Sequence, residues 1–318
     1  MKKRNAASDS TVFLHNIGFD SSVRLPGNVY YFEYQGFRFK LVQHNPRKYS
    51  NHLLTIVPSI DRAGRGPSFK AAAGFLSAWA FDERAAVLVW DSGGAGRAGD
   101  NPLRSAKPTM FGPPRLAWHG ITIGGELYSI PHVENEQQRI ALALFREAKA
   151  SNNDYLSLLF FWQVLEVARE AAQKVADRIT AEPKKHPRLD RLFIDQLELG
   201  GRSLGTYLHE DCRNAIAHIR RHPGLKEIDL DLLEERTRIT FSSRAAEALA
   251  ETFIRDELGL TKKAILVRPR GGGFPRFVAA DERSYSFVAV YPYRPRKFPR
   301  RIRGYRGYPR RRVPRVPK

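Results

Sequence analysis

The pattern of apolar residues changes near Pro131. Before it, residues 28–43 alternate apolar and polar side chains around a central turn, which predicts a β-hairpin. After it, apolar residues recur at helical spacing through long segments. We therefore predict an α+β chain, with a mixed α/β domain over residues 1–130 and an all-α antiparallel helical bundle over residues 131–260.

The segment before the boundary carries further local signals. Its predicted elements are strands at residues 53–57 and 85–90 and a helix over residues 68–81, capped by Ser68. The Gly- and Pro-rich stretch over residues 92–114 predicts a loop. Residues 120–130 predict one last pair of short strands, so strands dominate this part of the chain.

The segment after the boundary reads as consecutive helices. They are predicted over residues 133–150, 154–180, 189–197, 207–221 and 230–258. Thr206 is the predicted cap of the fourth helix, and Pro223 ends it. Short connections between helices favour antiparallel neighbours, so the pattern predicts a bundle.

Positive charge is concentrated at the C-terminal end of the sequence. Residues 261–318 hold 18 Lys and Arg against two acidic residues, which is +16 of a net charge of +20. Such a basic, Pro-rich extension predicts a disordered tail that neutralises phosphates, with tyrosines free to stack on bases. A solubilising tail is the alternative. The arginines predicted to contact nucleic acid are Arg300, Arg301, Arg303, Arg306, Arg310, Arg311 and Arg312.

Cysteine content and hydropathy indicate in which cellular compartment the protein is expected. A single cysteine, Cys212, excludes an internal disulfide framework and is predicted to pack in a core. The basic N-terminus leads into polar residues without the apolar core of a signal peptide, so we predict a cytoplasmic protein. The longest apolar stretch, residues 155–168, is shorter than a membrane span. No membrane association is predicted.

No cofactor or metal is predicted. His218 and His222 have the four-residue spacing of a helical metal pair, but Pro223 breaks the helix there and no third ligand is evident in the sequence. Gly94, Gly96 and Gly99 have a dinucleotide-binding spacing after a predicted strand, but no convincing helix follows them. The triple glycine at residues 271–273 lacks the lysine and the Ser or Thr of a phosphate loop and is predicted to be a turn.

The stretch RNAIAH, residues 213–218, carries the most chemistry. Arg213 offers a planar fork to phosphate oxygens, and His218 exchanges a proton near its ordinary pKa of about 6.5. On an α-helix Asn214 and His218 share a face, whereas Arg213 lies about 140° from His218. These three residues are the candidate catalytic cluster for phosphate chemistry.

Glu166 is a fourth candidate. It ends the apolar helix segment YLSLLFFWQVLEVA, where a carboxylate requires a partner. Arg213 is one candidate partner. An exposed Glu166, or one paired with Arg169, is the alternative.

That aromatic-rich segment, followed about fifty residues later by RNAIAH, resembles the HEPN superfamily. More narrowly, it is similar to the Apea-like HEPN group and its methylamine utilisation branch, MauJ. The resemblance covers roughly residues 133–258. It implies that Arg213, Asn214 and His218 form the centre of a metal-independent endoribonuclease. In such a site Glu166, by pairing with Arg213, is expected to orient the guanidinium.

The resemblance also implies partners. It predicts RNA as substrate and a homodimer through the helical bundle, and it leaves any antitoxin or pathway partner unspecified. Two alternatives stay open: a noncatalytic dimeric protein that binds RNA or protein, and a MauJ-like accessory protein of methylamine utilisation.

Overall fold

Strands from both ends of the described sequence form one sheet. The computed structural model describes residues 13–44, 49–97, 102–108, 115, 122–123, 127–168, 172–181, 197, 199–217, 229, 231–267 and 274–280. Eight strands lie in the order β6-β1-β5-β4-β3-β10-β9-β8, and β2 and β7 form a separate parallel pair. The strands are β1 Phe13–Ser21, β2 Val23–Arg24, β3 Val29–Tyr34, β4 Phe37–Val42, β5 Asn51–Val57, β6 Val87–Arg97, β7 Thr122–Ile123, β8 Ser129–Pro131, β9 Lys263–Val267 and β10 Arg276–Ala279.

The predicted hairpin over residues 28–43 is confirmed as β3 and β4. The strands pair antiparallel with Tyr34 opposite Phe37. Gln35 and Gly36 turn the chain with φ of 48° and 79°. Two positive φ values in a two-residue turn match the twist of paired strands, which is why this turn closes the hairpin tightly.

Two strand predictions require correction. β6 continues to Arg97, through residues predicted as loop, because irregular pairing with β1 accommodates its glycines. β7 and β8 do not pair with each other: β7 pairs with β2, and β8 pairs with β9. β1 was not predicted at all. It is buried on both faces and therefore lacks the alternation that marks a half-exposed strand.

The described ranges contain seven helices, by the numbering used here. They are α1 Arg62–Asp82, α2 Pro102–Ser105, α3 Glu136–Ala150, α4 Asp154–Glu166, α5 Ala172–Ala181, α6, which comprises Leu204–Thr206, Tyr207–Asn214 and Ala215–Ala217, and α7 Leu233–Thr252 with its continuation Phe253–Glu257. The chain is thus mixed α+β, as predicted. The predicted helix over residues 154–180 is interrupted between α4 and α5, and the one over 189–197 lies almost wholly outside the described residues.

Helix α1 begins earlier than predicted. Asp61 caps it by accepting the Gly64 N–H at 2.7 Å. Ser68, the predicted cap, instead lies buried inside the helix, with its hydroxyl 2.7 Å from His15 Nδ1 on β1. Its polar group therefore ties the helix to the sheet.

The helices share one apolar core with the sheet. Phe75 and Trp79 of α1 lie against the strands, and an edge-to-face aromatic series continues from Phe81 to Phe145 on α3 and Phe161 on α4, with ring centroids 5.1 and 5.3 Å apart. A single buried cluster thus contains residues from both of the predicted regions 1–130 and 131–260.

The start of the predicted basic extension belongs to the sheet. β9 and β10 pair antiparallel, and β10 lies beside β3. Phe277 of β10 contacts Phe32 with ring centroids 5.6 Å apart. The predicted domain boundary at residue 260 would therefore separate β9 and β10 from the sheet to which they belong. Residues 281–318, including the predicted tail arginines, lie outside the described residues. No helix of the described ranges has the length and hydropathy needed to span a bilayer.

Candidate functional site

Helix α6, which contains Arg213 and Asn214, is not a regular α-helix. Ser203, rather than the predicted Thr206, caps its first turn by accepting the Thr206 N–H at 3.2 Å. From Tyr207 to Asn214 the helix is a π-helix, and it returns to α geometry at Ala215. In a π-helix each backbone N–H bonds to the carbonyl five residues earlier, so the turn is wider than in an α-helix.

Five side chains from α4 and α6 contact one another in a closed cycle, which we call the α4–α6 ring. Its members are Trp162, Glu166, Arg213, Asn214 and His209. Trp162 Nε1 donates to Glu166 Oε1 at 2.8 Å, and the same oxygen lies 3.7 Å from Arg213 Nη2. Arg213 Nη1 donates to Asn214 Oδ1 at 2.8 Å. Asn214 Nδ2 lies 3.4 Å from His209 Nε2, and the His209 ring stacks on Trp162 with centroids 5.8 Å apart.

The π-helical turn explains how the cycle closes. His209 and Asn214 are five residues apart, which on an α-helix would place them about 140° from each other. The wider turn instead brings both side chains to one face, within contact distance. On α4, Trp162 and Glu166 are four residues apart and meet at ordinary α-helical spacing. Two helix geometries therefore combine in one cluster.

Burial within the ring is graded. Trp162 and His209 are 1% and 9% exposed, whereas the side chains of Glu166 and Arg213 are 24% and 27% exposed. The aromatic pair thus forms a fixed base, and the charged pair reaches solvent. A guanidinium that is held on two sides and partly exposed is able to donate hydrogen bonds to a phosphate oxygen of a ligand without first being ordered.

The environment keeps His209 neutral near neutral pH. Burial lowers its pKa below the ordinary 6.5, and the positive charge of Arg213 lowers it further, while Glu210, Glu166 and Asp177 partly offset both effects. A neutral ring accepts the Asn214 N–H at Nε2 and carries its proton on Nδ1. Nδ1 is buried and has no hydrogen-bond partner within the described residues.

A second set of contacts holds α6 against α7. Cys212 is fully buried with Sγ 3.4 Å from Ser242 Oγ, and Arg238 Nη1 donates to the Asp211 carbonyl at 3.1 Å. The Arg238 charge is itself paired with Glu235 at 2.6 Å. Burial raises the pKa of the Cys212 thiol, so this cysteine packs as an apolar residue rather than acting as a thiolate.

The structure brings together three of the four predicted catalytic residues. Glu166, Arg213 and Asn214 are in the ring, and the Glu166–Arg213 pairing is the first of the two alternatives read from the sequence. His218 lies immediately beyond the described residues, as does Arg169. Asn214 orients Arg213 here.

Trp162 and His209 are two members of the α4–α6 ring that were not predicted as site residues from the sequence. Trp162 looked like one more core residue of an apolar helix, and His209 looked unrelated to Asn214 because α-helical spacing separates them. The only available signal was the pairing of a His with an Asn five residues later, and that signal has meaning only in a π-helix. Across the described ranges, no three His, Cys, Asp or Glu side chains are grouped to hold a metal ion.

Comparison with protein families gives one match, to the family described as methylamine utilization protein MauJ, over residues 141–255. This part of the chain resembles MauJ. The matched region covers less than half of the chain but includes most of α3, all of α4 to α6 and nearly all of α7. It therefore contains every residue of the α4–α6 ring. No curated protein and no solved structure matches the chain significantly.

Proposed function

We propose that the chain is a HEPN-type, metal-independent endoribonuclease with its catalytic centre at Arg213, Asn214 and His218. The observation that carries the proposal is the Arg213 guanidinium, which is about a quarter exposed and which contacts with Glu166 and Asn214 hold in place. A cation fixed in this way is suited to a phosphate whose charge grows during reaction.

In the proposed reaction the 2′-hydroxyl of an RNA nucleotide attacks the adjacent phosphorus. The 5′-oxygen of the next nucleotide leaves, which gives a 2′,3′-cyclic phosphate. His218 transfers the proton to or from these oxygens, a role typically worth about 10² to 10⁴ in rate. Arg213 stabilises the negative charge on the phosphate oxygens, with Glu166 and Asn214 fixing its orientation. DNA lacks the 2′-hydroxyl and resists.

The proposal includes the predicted surroundings of the site. Two copies of the helical region pair as a cytoplasmic homodimer, and Arg300, Arg301, Arg303, Arg306, Arg310, Arg311 and Arg312 add nonspecific affinity for RNA. The tail contribution is expected to fall steeply with salt concentration, because phosphate neutralisation releases counterions.

The test is cleavage of mixed cellular RNA by the purified protein in EDTA, with analysis of product ends. We expect 2′,3′-cyclic phosphate ends from the wild-type protein and their loss in His218→Ala. A variant ending at Ala280 should still cleave, with weaker binding, because it retains the sheet and the ring. RNA that stays intact with all three proteins, or that is cut equally by His218→Ala, would refute the proposal.

A second candidate is an accessory protein of methylamine utilisation, and the family match over residues 141–255 favours it. In this role the ring would bind a partner or nucleotide without cleaving it. The discriminating experiment deletes the gene and follows growth on methylamine as sole nitrogen source. A growth defect that Arg213→Ala fails to rescue, without RNA cleavage in vitro, would favour this candidate over the ribonuclease.

A further inference from the structure

The Asn214 amide connects the two halves of the α4–α6 ring. Its single oxygen accepts from Arg213 Nη1 at 2.8 Å, and its nitrogen lies 3.4 Å from His209 Nε2. An amide has one acceptor end and one donor end. The orientation of the Asn214 amide therefore depends on His209 Nε2. If Nε2 is an acceptor, the amide nitrogen faces it and the amide oxygen faces Arg213. If Nε2 carries a proton, it attracts the amide oxygen away from Arg213.

His209 is well placed to impose this direction. The π-helical turn brings it onto the face of Asn214, and stacking on Trp162 at an interplanar angle of 25° limits the movement of its ring. Trp162 is in turn fixed by full burial and by its hydrogen bond to Glu166. Stacking on Trp162 therefore holds the imidazole independently of the hydrogen bond between Asn214 and Arg213. An imidazole held in this way fixes the direction of the Asn214 amide.

We propose that His209 is a positioning residue of this site: by accepting the Asn214 N–H it keeps the Asn214 oxygen on Arg213, and by gaining a proton it releases Arg213. The proposal rests on the proposed function for its effect on catalysis. A protonated imidazole has two N–H groups and no acceptor. It competes with Arg213 for the one amide oxygen, and the guanidinium loses one of its two anchors.

Charged groups around His209 shift its pKa in opposite directions. Arg213 on α6 opposes its protonation, whereas Glu210 on α6, Glu166 on α4 and Asp177 on α5 favour it. From α7, Arg238 approaches the preceding turn at Tyr207 with its charge paired to Glu235. Burial outweighs the acidic groups and lowers the pKa of His209, so the neutral imidazole is favoured. The α4–α6 ring is therefore assembled at neutral pH, and protonation of His209 in acid opens it.

The catalytic test compares wild-type protein with His209→Ala and His209→Gln. Gln offers a side-chain oxygen that accepts the Asn214 N–H and does not titrate. For cleavage of one RNA, we expect His209→Ala to lower kcat about tenfold with KM nearly unchanged, and His209→Gln to restore most of the rate. Wild-type kcat in His209→Ala, or loss of activity to the same extent in both variants, would overturn the positioning role.

The second arm needs no activity and separates this proposal from the proposed function. It follows the side-chain amide resonances of Asn214 by NMR between about pH 5 and about pH 8. We expect them to shift with pH in wild-type protein and to stay constant in His209→Gln. Equal shifts in both proteins would overturn the proposal. If wild-type protein cleaves no RNA while the resonances behave as expected, the ribonuclease proposal fails and the positioning role of His209 stands.

Discussion

Arg213 is held by two neighbours and still reaches solvent, a combination that stability alone does not explain. Its contact with Glu166 joins atoms 3.7 Å apart on side chains that are about a quarter exposed. Such pairs contribute about 0–1 kcal/mol to folding, because water screens them and ordering two long side chains costs entropy. The value of the pair lies instead in the direction that it gives the guanidinium.

We expect Glu166→Gln to separate these two roles. Gln retains an acceptor for Trp162 but not the negative charge on Arg213, so the free energy of unfolding should change by less than about 1 kcal/mol. The kcat for RNA cleavage should fall about tenfold, and KM should not rise, because an anion near the phosphate site is removed.

The measurements are a denaturant titration and steady-state kinetics on one RNA. Glu136→Gln is the matched control, since Glu136 is an exposed helical carboxylate that pairs with Arg139 and lies outside the ring. A kcat for Glu166→Gln equal to that of the control would contradict the orienting role of the carboxylate.

His52 gives a residue-scale prediction about pH. It is buried, with Nδ1 2.9 Å from Asn16 Oδ1, and burial lowers its pKa to about 4, with a smaller contribution from His44. On acidification the unfolded chain binds this proton first, near pH 6.5. Stability should therefore fall as pH drops from about 6.5 to about 4, by on the order of 3 kcal/mol from this residue.

Urea unfolding at several pH values measures this loss. His52→Gln removes the titrating group and should flatten the pH dependence of the free energy of unfolding over that range. His132→Gln is the control, because His132 is a half-buried histidine that follows β8, an edge strand of the sheet. Parallel pH curves for wild-type protein and His52→Gln would show that His52 is not the group responsible.

At the scale of elements, a close approach of two helices fixes α6. A side chain at Gly205, in the first turn of α6, would place its Cβ 2.0 Å from the Ala176 carbonyl oxygen on α5 and 2.7 Å from Thr180 Oγ1. Backbone cannot yield as a flexible side chain does. The absence of a side chain at Gly205 therefore sets the spacing of α5 and α6, and with it the position of the π-helical turn.

Gly205→Ala should reduce the free energy of unfolding by about 2–3 kcal/mol, because the two helices must separate to admit the methyl group. Gly74→Ala is the matched control, since a Cβ at this glycine of α1 would meet only side-chain atoms of Tyr34 and Gln35, at 3.9 and 4.0 Å, which is ordinary contact. That control should gain up to about 1 kcal/mol from better helix propensity. Comparable denaturation midpoints for the two variants would show that α5 and α6 do not depend on this contact.

The same elements show what local sequence is able to predict. The β3–β4 hairpin was predictable because alternation and the turn at Gln35 and Gly36 are encoded within a few residues. β1 was not, since tertiary packing buries both of its faces. The π-helix was not either, because its wider turn is stabilised by contacts with α4, α5 and α7 rather than by local propensity. Arg213, Asn214 and Glu166 were therefore found from the sequence, whereas His209 required the structure.

At the scale of the whole molecule, the helices are enclosed in sequence by the strands of one sheet. β9 and β10 follow α7, yet they lie between β3 and β8. Ala264 and Leu266 are buried there, and Phe277 packs among Phe32, Tyr34 and Phe75. The strands that complete the sheet thus follow the helical region in the sequence. The helices that carry the candidate site are therefore joined to the sheet at both of their ends in the chain.

This topology predicts different results for two truncations. Ending the chain after Leu260 removes the β9–β10 hairpin and should cost at least about 3 kcal/mol, since burying one large apolar side chain contributes about 1.5–3 kcal/mol. Ending it after Ala280 keeps the hairpin and should leave the denaturation midpoint unchanged. Chemical denaturation of the three proteins tests this. Equal midpoints for the two truncated forms would mean that the hairpin does not stabilise the sheet.

The most direct test of the central claim compares Arg213→Lys with wild-type protein in single-turnover cleavage of one RNA in EDTA. Lys keeps the positive charge and loses the fork that Glu166 and Asn214 hold. We predict at least about a 10²-fold slower reaction, while affinity for the RNA changes by less than about threefold and wild-type products carry 2′,3′-cyclic phosphates. Equal rates for the two proteins, or intact RNA with wild-type protein, would contradict the proposed role of an oriented Arg213 in RNA cleavage.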